Sequence, residues 1–346
     1  MRFVFFLLMC LPIFAATNRT VTVKPSGGDY TSLAAAVAGE SKNLVSLDRQ
    51  LTIECYAMAD TAAVVFDRTA WTTDATRYIL VTVPVGQRHN GSWSTSAYRM
   101  VMTNNAAIQV HHGVFLIVEW VQLHVSAGDN RVFYHGGATN SASNITIRNS
   151  ILRTNSAMTS NGVVHGSFTG NASTNIYVYN NLIYGSTGSN AYGVQIDVPG
   201  TVRIWNNTIV GMFGGLNLNN NGQFLAQNNL IDVTTTAARG YTNYMSGSGY
   251  NSTTRSSMDY TVTGGATGDR VSQTFTFVNS GAGDYHLAEG DGGAKDFGLS
   301  NPSGSGVFVN DIDGESRNGA WDIGADEYPS STSKRRYVIA SIKRVN

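Results

Sequence analysis

Glu119, Arg148, Tyr179, Trp205 and Gln227 recur at intervals of 22 to 31 residues, and Ile117, Thr146, Tyr177, Arg203 and Leu225 run two places ahead of them. If each pair lies on a strand and the strands stack, both sets share one face. Aromatic rings stack on the C–H faces of sugars, and an Arg fork matches a carboxylate or sulfate. Arg148, Tyr177, Tyr179, Arg203 and Trp205 are therefore the candidate substrate-contacting set. Glu119 and Arg148, one interval apart, form either a proton-transfer pair or a cross-strand ion pair worth ~0.2–1 kcal/mol. The bland alternative is that a loop covers this face and its aromatics make a satellite core.

A second set contains His111, His112, His135, His165, Asp197 and Asn219. His135 and His165 are 30 residues apart, and each precedes a Gly. With Asp197 one interval further on, they suit acid–base work, because His titrates near neutrality. Glu119, Arg148, His135, His165 and Asp197 are thus the catalytic candidates. A one-residue slip of register turns any of them to the opposite face, where a strand His is simply structural.

These residues need a frame. The segments LIVEWVQLH (116–124), ITIRNSILR (145–153), IYVYNNLIYG (176–185), VRIWNNTIVG (202–211) and FLAQNNLIDV (224–233) align on Trp120, Asn149, Asn180, Asn206 and Asn228. Apolar residues alternate before this column, and another follows three places after it: Leu123, Leu152, Ile183, Ile209, Ile231. Period-two alternation marks a strand with one face buried. Its repetition marks a stacked architecture. A second strand signal lies between the repeats at 107–113, 132–137, 162–168, 193–198 and 215–220. The intervals are too irregular for a propeller, and no helical period intervenes. The fold expected is all-β, a right-handed parallel β-helix with coils about 4.8 Å apart. Asn is depleted in strands, so a column of it predicts an inward ladder of amides, headed by Trp120 as an apolar plug.

Composition agrees. Charged residues make up 13% of the 346 residues, and Gly numbers 37. That suits short strands and polar turns rather than long helices. Residues 1–16 read as a secretory signal peptide, too short to span a membrane, and predict a secreted or extracellular protein. Beyond it Cys55 is the sole cysteine, which excludes an intrachain disulfide and a Cys-rich zinc site. The tail 329–346 carries Lys334, Arg335, Arg336, Lys343 and Arg344 and no acid, and fits an acidic partner or surface. The remaining body is acidic on balance, which argues against nucleic acid as a partner.

The Asn column and repeats resemble the pectate-lyase-like superfamily of right-handed β-helix proteins. VTVKPSGGDYTSLAAAVAG (21–39) is similar to the first strand and capping helix of such proteins, with Thr31 or Asp29 as helix cap and Leu33 and Val37 facing the core. DYHLAEGDGGAKDFG (284–298) and DIDGESRNGAWDIGADEY (311–328) resemble the closing segment of many secreted bacterial and phage-associated β-helix proteins. The resemblance implies an N-terminal strand and helix over 17–60, coils over 61–282 and a closing segment over 283–328. It implies fold more than activity, since the superfamily holds lyases, hydrolases, esterases, tailspikes and inactive members. The acidic calcium cluster of its lyases, the paired Asp of its polygalacturonase-like hydrolases and the Asp pair with Gln of its methylesterases are not found here. Asp311-x-Asp313-Gly does not match an EF-hand loop and reads as a structural end-cap tied by Arg317, with Ca²⁺ as the alternative. No metal or cofactor is assigned.

Two classes of function remain. One is a secreted β-helix protein that binds a polysaccharide, and as a lyase or glycoside hydrolase cleaves an anionic one. The other is a non-catalytic structural or adhesive solenoid on a cell surface or virion. An open groove along residues 116–233 favours the first, and a plugged face the second.

Overall fold

A computed structural model describes residues 16–329 except 129–130, 138–140, 156–157, 159–160, 168–173, 186–187, 220–221, 241–243, 263–264 and 303–307. The expected signal peptide and basic tail fall almost wholly outside the described residues. Among the described residues no helix is long and apolar enough to cross a membrane.

The protein is a parallel β-solenoid. One eight-stranded sheet stacks Thr17–Val23, Arg49–Cys55, Ile79–Thr82, Phe115–Glu119, Ser143–Arg148, Thr174–Tyr179, Gly200–Trp205 and Gln223–Gln227 in chain order. A second sheet of 13 strands curls around the other side of the core in two arms. One arm holds Gln122–Val125, Ile151–Thr154 and Leu182–Tyr184; the other holds Ile108–His111, Phe133–Gly136, Gly162–Ser167 and Tyr192–Asp197. The long strand Thr208–Leu218 crosses both arms and joins them. Each strand signal read from the sequence is therefore present, and each coil adds a further short strand after the Asn column.

The alternating apolar residues face the interior. Leu116, Val118, Ile145, Ile147, Ile176, Val178, Val202 and Ile204 are all buried. Leu123, Leu152, Ile183, Ile209 and Ile231 pair in register from coil to coil. At the N-terminal end the helix Leu33–Glu40 buries Leu33, Ala36 and Val37 against the first coil. Its cap is Ser32, which accepts from the Ala35 N–H at 3.1 Å. Asp29, expected there, instead accepts from the backbone and hydroxyl of Thr22 at 2.8 and 2.9 Å. Cys55 is a buried free thiol, and burial pushes its pKa up.

The Asn ladder exists, displaced by one residue from its expected column. Asn149, Asn180, Asn206 and Asn228 have φ of 48°, 52°, 48° and 55°, and Trp120 has 62°. They are left-handed corner residues, a conformation Asn tolerates and Trp rarely adopts. The turn consumes one residue, so the inward position falls on the next. Asn181, Asn207, Asn229 and Asn251 form the ladder, each Nδ2 donating to the next Oδ1 at 3.0, 3.0 and 2.9 Å. Each also donates to a strand carbonyl, of Ile147, Val178, Ile204 and Ala226, at 2.8–3.1 Å. Ser150 heads the ladder and Asp269 ends it. Buried amides are thereby satisfied within the core. Trp120 is no plug of this column. It lies at the corner under the Arg88 guanidinium, 4.1 Å from its ring.

The C-terminal segment is built on the corner column of Asn180, Asn206 and Asn228. Asn180 Nδ2 donates to the Asn310 carbonyl at 2.7 Å, and Asn206 Nδ2 to the Asp322 and Gly324 carbonyls, both at 3.2 Å. Asn228 exchanges two bonds of 2.8 Å with the Leu299 backbone. The Arg317 side chain is fully buried, and the sequence expectation that it ties the turn through Asp311 or Asp313 is corrected: its hydrogen bonds go elsewhere. It donates to Glu327 at 3.2 Å, Asn180 Oδ1 at 3.1 Å, and the Gly324 and Ala325 carbonyls at 3.0 and 2.8 Å. Asp311 ties the turn instead, accepting from the Asp313, Glu315 and Glu327 amides. The segment straddles the corner. Ile312 and Ala325 cover Ile151 and Leu182 of the second sheet, while Phe308 and Trp321 cover the first sheet.

Candidate functional site

The outer face of the first sheet divides into a covered part and an open part. Register places Glu119, Arg148, Tyr179, Trp205 and Gln227 in one column and Ile117, Thr146, Tyr177, Arg203 and Leu225 in the next. Both columns are as the sequence predicts. Their exposure is not. Tyr179 and Trp205 are 2% and 4% exposed beneath the C-terminal segment. Tyr179 stacks on Phe308 with centroids 4.8 Å apart, and Trp205 packs against Tyr177, Tyr179 and Phe308. Trp205 therefore cannot stack on a ligand, because the satellite-core alternative holds at its position. Sequence reasoning gave the segment as an end-cap and had no signal that it folds back over the sheet.

Glu119 and Arg148 do meet. Arg148 donates to Glu119 at 2.6 Å and to the Tyr179 hydroxyl at 2.7 Å, and Glu119 accepts from Thr82 at 2.8 Å. Burial works against the Arg148 charge, but Tyr179 and Glu119 outweigh it and hold the pKa above its ordinary value. Burial pushes the Tyr179 phenol up as well. A guanidinium held at both ends has its charge matched inside the protein, and a phenol so shifted is a poor base near neutrality.

Upstream of Tyr179 the face opens into a cleft of about 300 Å³ lined by Tyr78, Phe115, Ile117, Asn144, Thr146 and Tyr177, with Tyr179 at its covered edge. Its floor is three strands wide: Phe115 pairs with Asn144, Ile117 with Thr146, and Thr146 with Tyr177. Tyr78 and Phe115 are cleft residues that sequence reasoning missed. The available signal was the place of Phe115 two residues ahead of Ile117 on its strand, and of Tyr78 immediately before the strand Ile79–Thr82. Arg203 adjoins Tyr177 on the next strand. Its guanidinium contacts Met245 Sδ at 3.3 Å, and no carboxylate among the described residues lies within ion-pair distance of it. Burial lowers its pKa.

The His candidates separate. His135 is in register with Val110 and Gly166 and faces the core, where its ring meets His112 at 4.2 Å. His165 is in register with Tyr134 and Gln195 and faces outward. The proposed His135–His165 pair fails because their registers differ by one residue. His165 does approach Asp197, at 3.5 Å, and accepts from Arg131 at 3.1 Å. Asp197 is itself held by Gln195 at 2.9 Å and Asn219 at 2.7 Å, and its pKa is lowered, against the effect of burial, by His165 first and then by Gln195 and Asn219.

Burial depresses His135 well below the usual imidazole range, with His112 adding to the effect, and lowers His89 to about 4. These groups are neutral in the folded protein and take up protons near pH 6.5 when unfolded. Their contribution is present above pH 6.5 and is lost as pH falls toward 4. His89 alone accounts for roughly 3 kcal/mol on this basis. Between pH 7 and pH 4.5 the urea midpoint of His135→Leu should gain on that of the wild type as pH falls, because the variant lacks this His contribution.

A scan against protein-family models and a search of the curated proteins found no match to this chain.

Proposed function

We propose that the protein is a secreted right-handed β-helix protein of pectate-lyase-like architecture whose cleft holds a polysaccharide. The observation that carries this reading is the open cleft of Tyr78, Phe115, Ile117, Thr146 and Tyr177 on a rigid parallel sheet. Elongated, shallow and partly aromatic surfaces fit sugar rings, whose C–H faces stack on Tyr and Phe while hydroxyls meet Asn144 and Thr146. Strand spacing of about 4.8 Å fixes the ring positions, so little ordering accompanies binding. Arg203 offers an unmatched charge beside Tyr177, which fits a carboxylate or sulfate on the sugar. Arg148 is committed to Glu119 and Tyr179, so binding rather than bond cleavage is assigned to the cleft.

A glycan array followed by calorimetric titration tests the reading. Tyr177→Ala should weaken binding to every ligand by at least about tenfold. Arg203→Ala should weaken mainly charged chains and remove the salt dependence of their affinity. No ligand on a broad array, or binding untouched by both substitutions, would leave the structural or adhesive solenoid as the better account.

A further inference from the structure

Where the C-terminal segment meets the second sheet, a His and two carboxylates converge. One ligand atom each from His286, Asp313 and Asp326 lies within 4.8 Å of the others. His286 sits on the strand Asp284–Leu287, and its Nδ1 is engaged by Asp284 at 2.5 Å. That contact orients the ring and leaves Nε2 facing the cluster. The His286 side chain is 6% exposed, and Nε2 has no hydrogen bond; its nearest carboxylate oxygen, on Asp313, is at 3.3 Å. Gly91 packs over this nitrogen so closely that a β-carbon there would stand 2.3 Å from it. Beside it a space of about 10 Å³ is lined by His286 and Asp326, with Gly91, Thr208 and Tyr285 and the apolar Leu182, Ile312 and Ala325 making up the rest of its wall. That is room for one water or one ion.

We propose that His286, Asp313 and Asp326 bind a single divalent transition-metal ion of the Zn²⁺ class. One imidazole and two carboxylates are a donor set that zinc accepts, with the fourth position left to water. Calcium prefers six or more oxygens, and the cluster does not offer them. The three ligands come from two separate stretches, 284–287 and 311–328, both lying on the solenoid. The ion therefore joins them, and its role is to lock the two ends of the closing segment to each other.

The test uses the tag-free full chain after chelator treatment and dialysis. Equilibrium dialysis against ZnCl₂ should give one tightly bound ion per chain, and the melting temperature should rise with Zn²⁺ and not with CaCl₂ or MgCl₂. His286→Gln should reduce zinc affinity at least tenfold and abolish the rise, and Asp313→Asn should do the same. His111→Ala removes an outer-face His that lies 3.2 Å from Asp67 and should change neither measurement. Circular dichroism of each variant confirms that the solenoid is intact. No tight zinc in the wild type, or tight zinc surviving in a folded His286→Gln variant, overturns the proposal; the cluster is then a carboxylate-bridged imidazolium. Stabilisation by calcium alone also overturns it and returns the metal to the Asp311–Asp313 turn.

Discussion

Arg317→Ala is expected to cost about 3–5 kcal/mol, the range for removing one partner of a buried ion pair. The loss is large because Arg317 is the fastening of the C-terminal segment and not a surface charge. Its removal leaves Glu327 buried, where burial already pushes the carboxyl pKa upward and Arg317 counters it. It also takes the Arg317 donor from Asn180 Oδ1 and one of two donors from each of the Gly324 and Ala325 carbonyls, which keep Asn206 Nδ2 and the Ile312 N–H. Loss should begin locally, with the segment opening before the coils. Limited proteolysis should cut within 299–329 in the variant under conditions that spare the wild type. Arg317→Ala combined with Glu327→Gln should be less destabilised than Arg317→Ala alone, because the orphaned charge is gone. Equal protease resistance in wild type and Arg317→Ala would show that the segment is held by its apolar contacts alone.

Trp205→Ala is expected to cost about 3–5 kcal/mol, as for other large-to-small changes in a packed cluster. Trp205 is covered by Phe308 and touches Tyr177 and Tyr179, so its removal leaves a cavity under the segment. Trp205→Phe should recover more than half of the loss. The same substitution separates packing from binding. If Trp205 met ligand directly, the Phe variant would lose affinity for neutral and charged glycans while staying nearly as stable as wild type. The structure places it out of reach, so affinity measured on the folded Phe variant should match wild type within about twofold. Chemical denaturation and titration on one preparation give both numbers.

The parts of this molecule that repeat were legible in its sequence. Alternation set the inward and outward columns of the first sheet correctly, and register confirms Glu119 beside Arg148 and Tyr177 beside Arg203. The ladder was misplaced because alternation counts by two and a left-handed corner at Asn180 or Asn206 consumes one residue outside that count. The His assignments failed for a related reason. VFYHGG and GVVHGSF look aligned on their His–Gly pairs, but hydrogen bonding pairs Tyr134 with His165 and His135 with Gly166. What covers the sheet was not legible, since the contact between Phe308 and Tyr179 spans well over a hundred residues and leaves no periodic trace. Arg317 was seen as a turn-forming residue because Asp311 and Asp313 lie near it in sequence. Its actual acceptors include Asn180, which only the folded corner brings to it.

The cleft upstream of Tyr179 is the face proposed to meet a ligand. Hydroxyl-radical footprinting of the intact chain, with and without a saturating oligosaccharide from the array, reads that directly. Protection is expected at Tyr78, Phe115 and Tyr177, with Trp205 and Trp321 unreactive in both states because the C-terminal segment already covers them. Protection at Tyr134 and His165 with no change at Tyr78, Phe115 and Tyr177 would contradict the assignment and move the site to the opposite sheet.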